Sequence, residues 1–152
     1  MSSSFEMKIY LDVCCLNRPF DDQTQARVRL EAQAVLAILD RVSEGKWEWV
    51  SSEAVDLEIS KAPDKEQGDR VHFLMGVISR TASIEDREAK RARQLEALGF
   101  HAFDVLHIAC AESAQVDVLL TTDDRFLGVA RRVKDILQVR VANPLQWLEE
   151  ML

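Results

Sequence analysis

Five acidic residues stand out because their neighbours are of types that leave water. Asp12 closes the run Lys8-Ile9-Tyr10-Leu11-Asp12-Val13, and Asp123 and Asp124 follow Val118-Leu119-Leu120-Thr121-Thr122. Asp104 lies between Phe103 and Val105. Glu58 shares an i, i+3, i+4, i+7 stripe with Val55, Ile59 and Ala62. A carboxylate in such surroundings costs desolvation free energy unless it is paired or holds a metal. Taken singly, Asp123 or Asp124 reads as a turn or helix-cap residue, and Asp104 as an acid favoured by a helix N-terminus. Glu58 at the margin of its stripe could extend its carboxylate to water. Asp12, flanked by buried types, has no such simple role. Four carboxylates in one pocket would repel by about 4 kcal/mol per pair at ~4 Å and an effective dielectric of ~20. They would need a cation or shared protons. Oxygen ligands select Mg²⁺, Mn²⁺ or Ca²⁺, and Mg²⁺ on a few carboxylates commonly serves phosphate chemistry. The sequence carries no P-loop, GxSxG or GxGxxG, and no Cys/His spacing suited to zinc.

The surrounding sequence must position these acids. Residues 8–13 and 118–121 are short apolar runs that predict buried, and so parallel, strands. Trp47 to Val50 and Val139 to Ala142 predict two more. A helix is expected from about Thr24 to Ser43, where Val28, Ala32, Val35, Leu39 and Val42 form one stripe and Gly45 is the stop. Ser52 can cap a helix reaching Lys61, with Pro63 beyond it. Further helices are expected over about 65–79, from Ser83-Ile84-Glu85-Asp86 to Leu98, and over 103–114, 124–137 and 145–151. Strands alternating with helices imply an α/β sandwich on a mainly parallel sheet. In such sheets ligands sit outside the carboxyl ends of the strands. Asp12 and Asp123 both fall there.

The 152 residues match one domain, with residues 1–6 expected as a loose tail and 7–152 as the folded unit. A net charge of −7 argues against a nonspecific coating of nucleic acid and leaves open a nuclease that works through cations. Three cysteines form no disulfide framework, and no apolar run is long enough to span a membrane. The N-terminus lacks secretory features, so a cytoplasmic setting is expected.

IYLDVCCLNRPF, the span from Ser52 to Glu58, FDVLHIACAE and VLLTTDDRFL, in this order, resemble a PIN-domain protein. Toxin ribonucleases of the VapC type and their solitary relatives share this layout, and the resemblance runs from about Lys8 to Leu148. It implies a three-layer α/β/α PIN fold with a mainly parallel central sheet. It implies an endoribonuclease that hydrolyses single-stranded RNA with Mg²⁺ or Mn²⁺ and an activated water. Asp12, Glu58, Asp104 and Asp123 match the family's four acids, with Asp124 as a substitute for the fourth. Asp12 and Asp104 would hold the principal metal, and Glu58 and Asp123 would complete the pocket. Thr121 would hydrogen-bond within it. Toxin kinship implies an antitoxin partner, and relatives commonly form homodimers.

The chain departs from many relatives by following Asp12 with Val13-Cys14-Cys15 in place of hydroxyl or small polar residues. Arg18, Arg125 and Arg131 are the basic residues that could face RNA, although the Arg131 stretch also reads as a solvated helix face. His107 reads as a packed or hydrogen-bonded histidine, and His101 could reach substrate. Trp47 and Trp49 point to one face and read as core or dimer surface. A competing function for the same fold is a catalytically weak nucleic-acid or protein binding module. A phosphatase using the same acids is a third.

Overall fold

The computed structural model describes residues 6–152. The tail expected over residues 1–6 thus lies, for its first five positions, outside the described residues. Glu6 already donates its backbone N–H to the Lys46 carbonyl at 3.0 Å.

Among the described residues, five strands form one parallel sheet: β1 (Met7–Leu11), β2 (Trp47–Ser52), β3 (Arg80–Ala82), β4 (Val118–Leu120) and β5 (Arg140–Ala142). Their order is β3-β2-β1-β4-β5. Eight α-helices connect and cover them: α1 (Val13–Asn17), α2 (Ala26–Ser43), α3 (Glu53–Lys61), α4 (Lys65–Leu74), α5 (Asp86–Leu95), α6 (Ala102–Ser113), α7 (Asp124–Arg132) and α8 (Pro144–Met151). Right-handed crossovers put the helices after β1 and β2 on one face and those after β3 and β4 on the other. The result is a three-layer α/β/α sandwich on a parallel sheet.

Side-chain alternation divides the core between the two faces. Ile9 and Trp49 are register partners on β1 and β2 and are fully buried. Trp47, two residues before Trp49, meets Trp147 of α8 edge-to-face with ring centroids 4.9 Å apart. The Arg41 guanidinium of α2 lies 5.2 Å from the Trp47 ring. Both tryptophans of β2 are therefore core, and neither offers a dimer surface. Tyr10 and Ser52 point to the opposite face and reach α6.

The departures from the expected elements have local causes. Val13 does not extend β1, because the Asp12 side chain accepts the Cys15 N–H at 3.2 Å and starts α1 there. The helix expected over 65–79 stops at Leu74, passes through a 3₁₀ turn at Met75–Val77 and gives way to β3. That edge strand has only three residues, too few to show a periodic signal. The helix expected from Ser83 starts at Asp86, because the Glu88 side chain accepts the Glu85 N–H at 2.9 Å. α7 ends at Arg132, five residues early.

Candidate active site

The sheet reverses its winding between β1 and β4, which are adjacent although two strands and six α-helices separate them in the chain. The crevice outside the carboxyl ends at such a switch point is where open α/β sheets bind ligands. Asp12 emerges there from β1, with its backbone N–H on the Leu120 carbonyl of β4 at 3.1 Å. Thr121 and Asp123 emerge beside it from β4.

Asp12 is only 5% exposed, and among the described residues no Lys or Arg pairs with it. Its Oδ1 accepts the Cys15 N–H and stands 2.8 Å from Cys14 Sγ. The same sulfur lies 3.2 Å from Thr121 Oγ1 and accepts the Thr122 N–H at 3.3 Å. The buried Thr121 hydroxyl also accepts the Asp123 N–H at 3.1 Å. Cys14 and Thr121 thus join the start of α1 to the segment after β4.

Asp104, partly buried in the first turn of α6, accepts the His101 N–H at 3.1 Å. Asp123 caps α7, with Oδ1 accepting from the Arg125 and Phe126 N–H groups at 2.9 and 3.3 Å. Asp124 points elsewhere. Arg27 of α2 takes both of its oxygens at 2.7 Å and holds its carboxyl below the ordinary carboxylate range. Of the two adjacent acids, Asp123 is the one left at the crevice.

Glu58 is held by a histidine. His107 Nε2 lies 2.7 Å from Glu58 Oε1, and His107 Nδ1 lies 2.6 Å from the Tyr10 hydroxyl. That hydroxyl is also 2.6 Å from Ser52 Oγ. Ser52 in turn caps α3 by accepting the Ala54 and Val55 N–H groups. With Glu58 ionised, the bonds run in one direction. Ser52 donates to Tyr10, Tyr10 to His107 Nδ1, and His107 Nε2–H to the carboxylate. His107 and Tyr10 are buried, whereas the Glu58 side chain is 33% exposed. The chain therefore fixes one oxygen of a side chain that remains partly exposed. Replacing His107 with Ala is expected to destabilise the fold by about 1–3 kcal/mol, because the Tyr10 hydroxyl loses a buried partner. Urea denaturation reads the effect, and His107→Gln, which can keep one of the two bonds, is expected to recover part of it.

No three of the four acids bring their oxygens within 4.8 Å of one another; among the described residues only Asp12, Cys14 and Cys15 form such a group. Asp104 and Asp123 are nonetheless close enough for one charge to act on the other. Burial raises the Asp12 carboxyl well above its ordinary value, and Cys14 adds to the shift. Burial also raises the Asp104 carboxyl, and the Asp123 charge raises it further against the His101 hydrogen bond. Desolvated carboxylates without a Lys or Arg partner suit a hard divalent ion. Mg²⁺ needs only one or two protein carboxylates and keeps several waters, so the wider spacing is compatible.

The raised values set a pH dependence. The native metal-free chain holds its Asp12 and Asp104 protons above the ordinary value of 3.8, where the unfolded chain has lost them. Their stabilising contribution is complete below 3.8 and is lost as pH rises through the raised values. In chelator, wild type is expected to lose stability relative to Asp12→Asn as pH rises from about 4 towards neutrality. Thermal melts of the two proteins read that difference, and added Mn²⁺ is expected to reverse it.

The three arginines named for RNA sit differently. Arg18 is engaged by Glu31 at 2.8 Å and Asp21 at 3.1 Å. The guanidinium of Arg125, next to Asp123, bonds only the Gly99 carbonyl among the described residues, so its charge is not paired. Arg131 is at the other end of α7 from Asp123, in a groove beside β5 with Lys134 and Arg140. Sequence reasoning passed over Tyr10 and Arg27, and read Cys14 as a small packing residue where the structure makes it a hydrogen-bonding one. Strand alternation carried a signal for Tyr10, which shares a face with Asp12 two residues on.

A family model described as PIN domain matches residues 9–132. No curated protein matches the chain. Among solved structures, it is similar to a chain of VapBC2 from Rickettsia felis bound to a DNA fragment from its promoter, with a TM-score of 0.61 and 15% identity over 90% of this chain and 98% of that one. It is also similar to a chain of VapBC-1 from nontypeable Haemophilus influenzae, with a TM-score of 0.59 and 16% identity over 91% and 98%. At these identities the likeness is one of fold.

Proposed function

The chain belongs to the PIN-domain family, and from that premise we propose that it is a Mg²⁺- or Mn²⁺-dependent endoribonuclease acting on single-stranded RNA. The observation that carries this reading is Asp12: a carboxylate 5% exposed, without a cation, at the switch point of a parallel sheet. Asp12 and Asp104 would hold the ion, with Asp123 completing the pocket. When bound, such an ion neutralises charge on phosphoryl oxygens and makes water a stronger nucleophile. Glu58 has one oxygen fixed by His107 and the other free to orient water and take up its proton. Thr121 keeps Asp123 in register through the Asp123 N–H. Arg125 supplies positive charge where the RNA backbone would lie.

Because the structural neighbours belong to VapBC assemblies, the reading extends to a VapC-type toxin with an antitoxin partner, acting as a homodimer in the cytoplasm. Three free cysteines fit a reducing compartment, and no helix among the described residues is long and apolar enough to cross a membrane.

Labelled single-stranded RNA incubated with the protein and Mn²⁺ or Mg²⁺ is expected to be cut, and chelator is expected to stop it. Cutting that persists in chelator would sink the metal-dependent mechanism. The wide spacing of the acids favours one other reading, a binding module of weak catalysis. It predicts no carboxylate-dependent Mn²⁺ affinity, which calorimetry measures directly.

A further inference from the structure

Asp12, Cys14 and Cys15 place one carboxylate and two thiols on the first turn of α1. Their ligand atoms lie within 4.8 Å of each other, the only such group of His, Cys, Asp and Glu among the described residues. Cys14 Sγ is already 2.8 Å from Asp12 Oδ1. Cys14 is only partly buried, so an ion entering the crevice can reach it. The second independent observation is Asp12 itself: a side chain more than nine-tenths buried, without a Lys or Arg partner, with one oxygen bonded to the helix start. Sulfur ligands discriminate between metals. Mg²⁺ takes oxygen, whereas thiolates select Zn²⁺ and its heavier congener Cd²⁺. Zinc takes four ligands from Cys, His and carboxylate, with water completing an open site.

We propose that this turn is a soft-metal site in which Zn²⁺ or Cd²⁺ binds Asp12 and Cys14, with Cys15 as third ligand, and by occupying Asp12 excludes the hard cation. The exclusion rests on the nuclease reading of the crevice; the soft-metal site itself does not. On binding, each coordinating thiol releases its proton to solvent as the metal–sulfur bond forms. The residues after Asp12 would thereby make the crevice sensitive to thiophilic ions, which a hydroxyl at position 14 would not.

Titrating the metal-free protein with Cd²⁺ tests this through the ultraviolet thiolate-to-cadmium absorption. The band is expected to saturate at one equivalent. Cys14→Ser is expected to abolish it, Asp12→Asn to weaken binding at least ~10-fold, and Cys110→Ala to leave it unchanged. In protein loaded with Mn²⁺, Cd²⁺ is expected to release the ion, read from the paramagnetic resonance of free Mn²⁺, and Cys14→Ser is expected to prevent the release. Circular dichroism checks that each variant is folded. A folded wild type without the band, or a band that survives in folded Cys14→Ser, overturns the site. Cd²⁺ binding that leaves Mn²⁺ in place overturns the exclusion. A chain that shows the band yet cuts no RNA keeps the site and removes the nuclease reading. One that cuts RNA and lacks the band does the reverse.

Discussion

Asp12→Asn is expected to reduce metal-supported RNA cleavage by at least about a hundredfold while leaving the metal-free fold intact. Asparagine has the shape of aspartate and keeps a carbonyl oxygen to accept the Cys15 N–H at the start of α1. It lacks the charge. In the metal-free protein that charge is a burden, since burial already pushes the carboxyl towards its neutral form. The variant is therefore expected to match or exceed wild type in a denaturant melt in chelator. Added Mn²⁺ should raise the melting temperature of wild type and not that of the variant. Asp104→Asn should follow the same pattern, because Asn can still accept the His101 N–H. Cleavage undiminished in the Asp12→Asn, Asp104→Asn double variant would remove these acids from the chemistry.

The second large effect is structural and centres on Glu31, which is 1% exposed in the middle of α2. Its Oε1 accepts from Arg18 Nε at 2.8 Å, and its Oε2 accepts from Arg27 Nε at 3.2 Å and Asn143 Nδ2 at 2.6 Å. These partners tie together the turn after α1, the start of α2 and the cap of α8. Arg27 carries the network to the crevice by gripping Asp124 and the Thr122 carbonyl. Glu31→Ala is expected to cost about 3–5 kcal/mol, because it strands a partly buried guanidinium and a buried amide. Glu31→Gln keeps an acceptor and should cost less. Equilibrium urea denaturation measures both. If Glu31→Ala melts with wild type, the network contributes nothing net to the fold.

Glu31 also shows where sequence reasoning stops. With Val28, Ala32 and Val35 it forms the same i, i+3, i+4, i+7 pattern that singled out Glu58. Both patterns correctly report an acid among apolar neighbours. One of these acids is taken up by two arginines and an asparagine, whereas the other is held by a single histidine with an oxygen to spare. Periodicity tells which side chains leave water. It does not tell what they meet there, because all the partners but Arg27 come from elements 13 to 112 residues away.

The longer elements and the parallel α/β class were legible in the sequence because a stripe repeated over several turns, or a continuous apolar run, is a local signal. β3 and α1 were not legible. One is a three-residue edge strand placed by pairing with β2, and the other is a single turn started by the Asp12 side chain. At the crevice, the residue types and their positions at the strand ends determined by themselves that Asp12 and Asp123 belong to one edge. Only the tertiary structure paired Asp124 with Arg27 from another helix, while Asp123 caps α7. It alone joined Tyr10 and His107 to Glu58, and set Cys14 between Asp12 and Thr121. Burial is written into the chain's own pattern, whereas a polar group's partner is fixed only when distant segments pack.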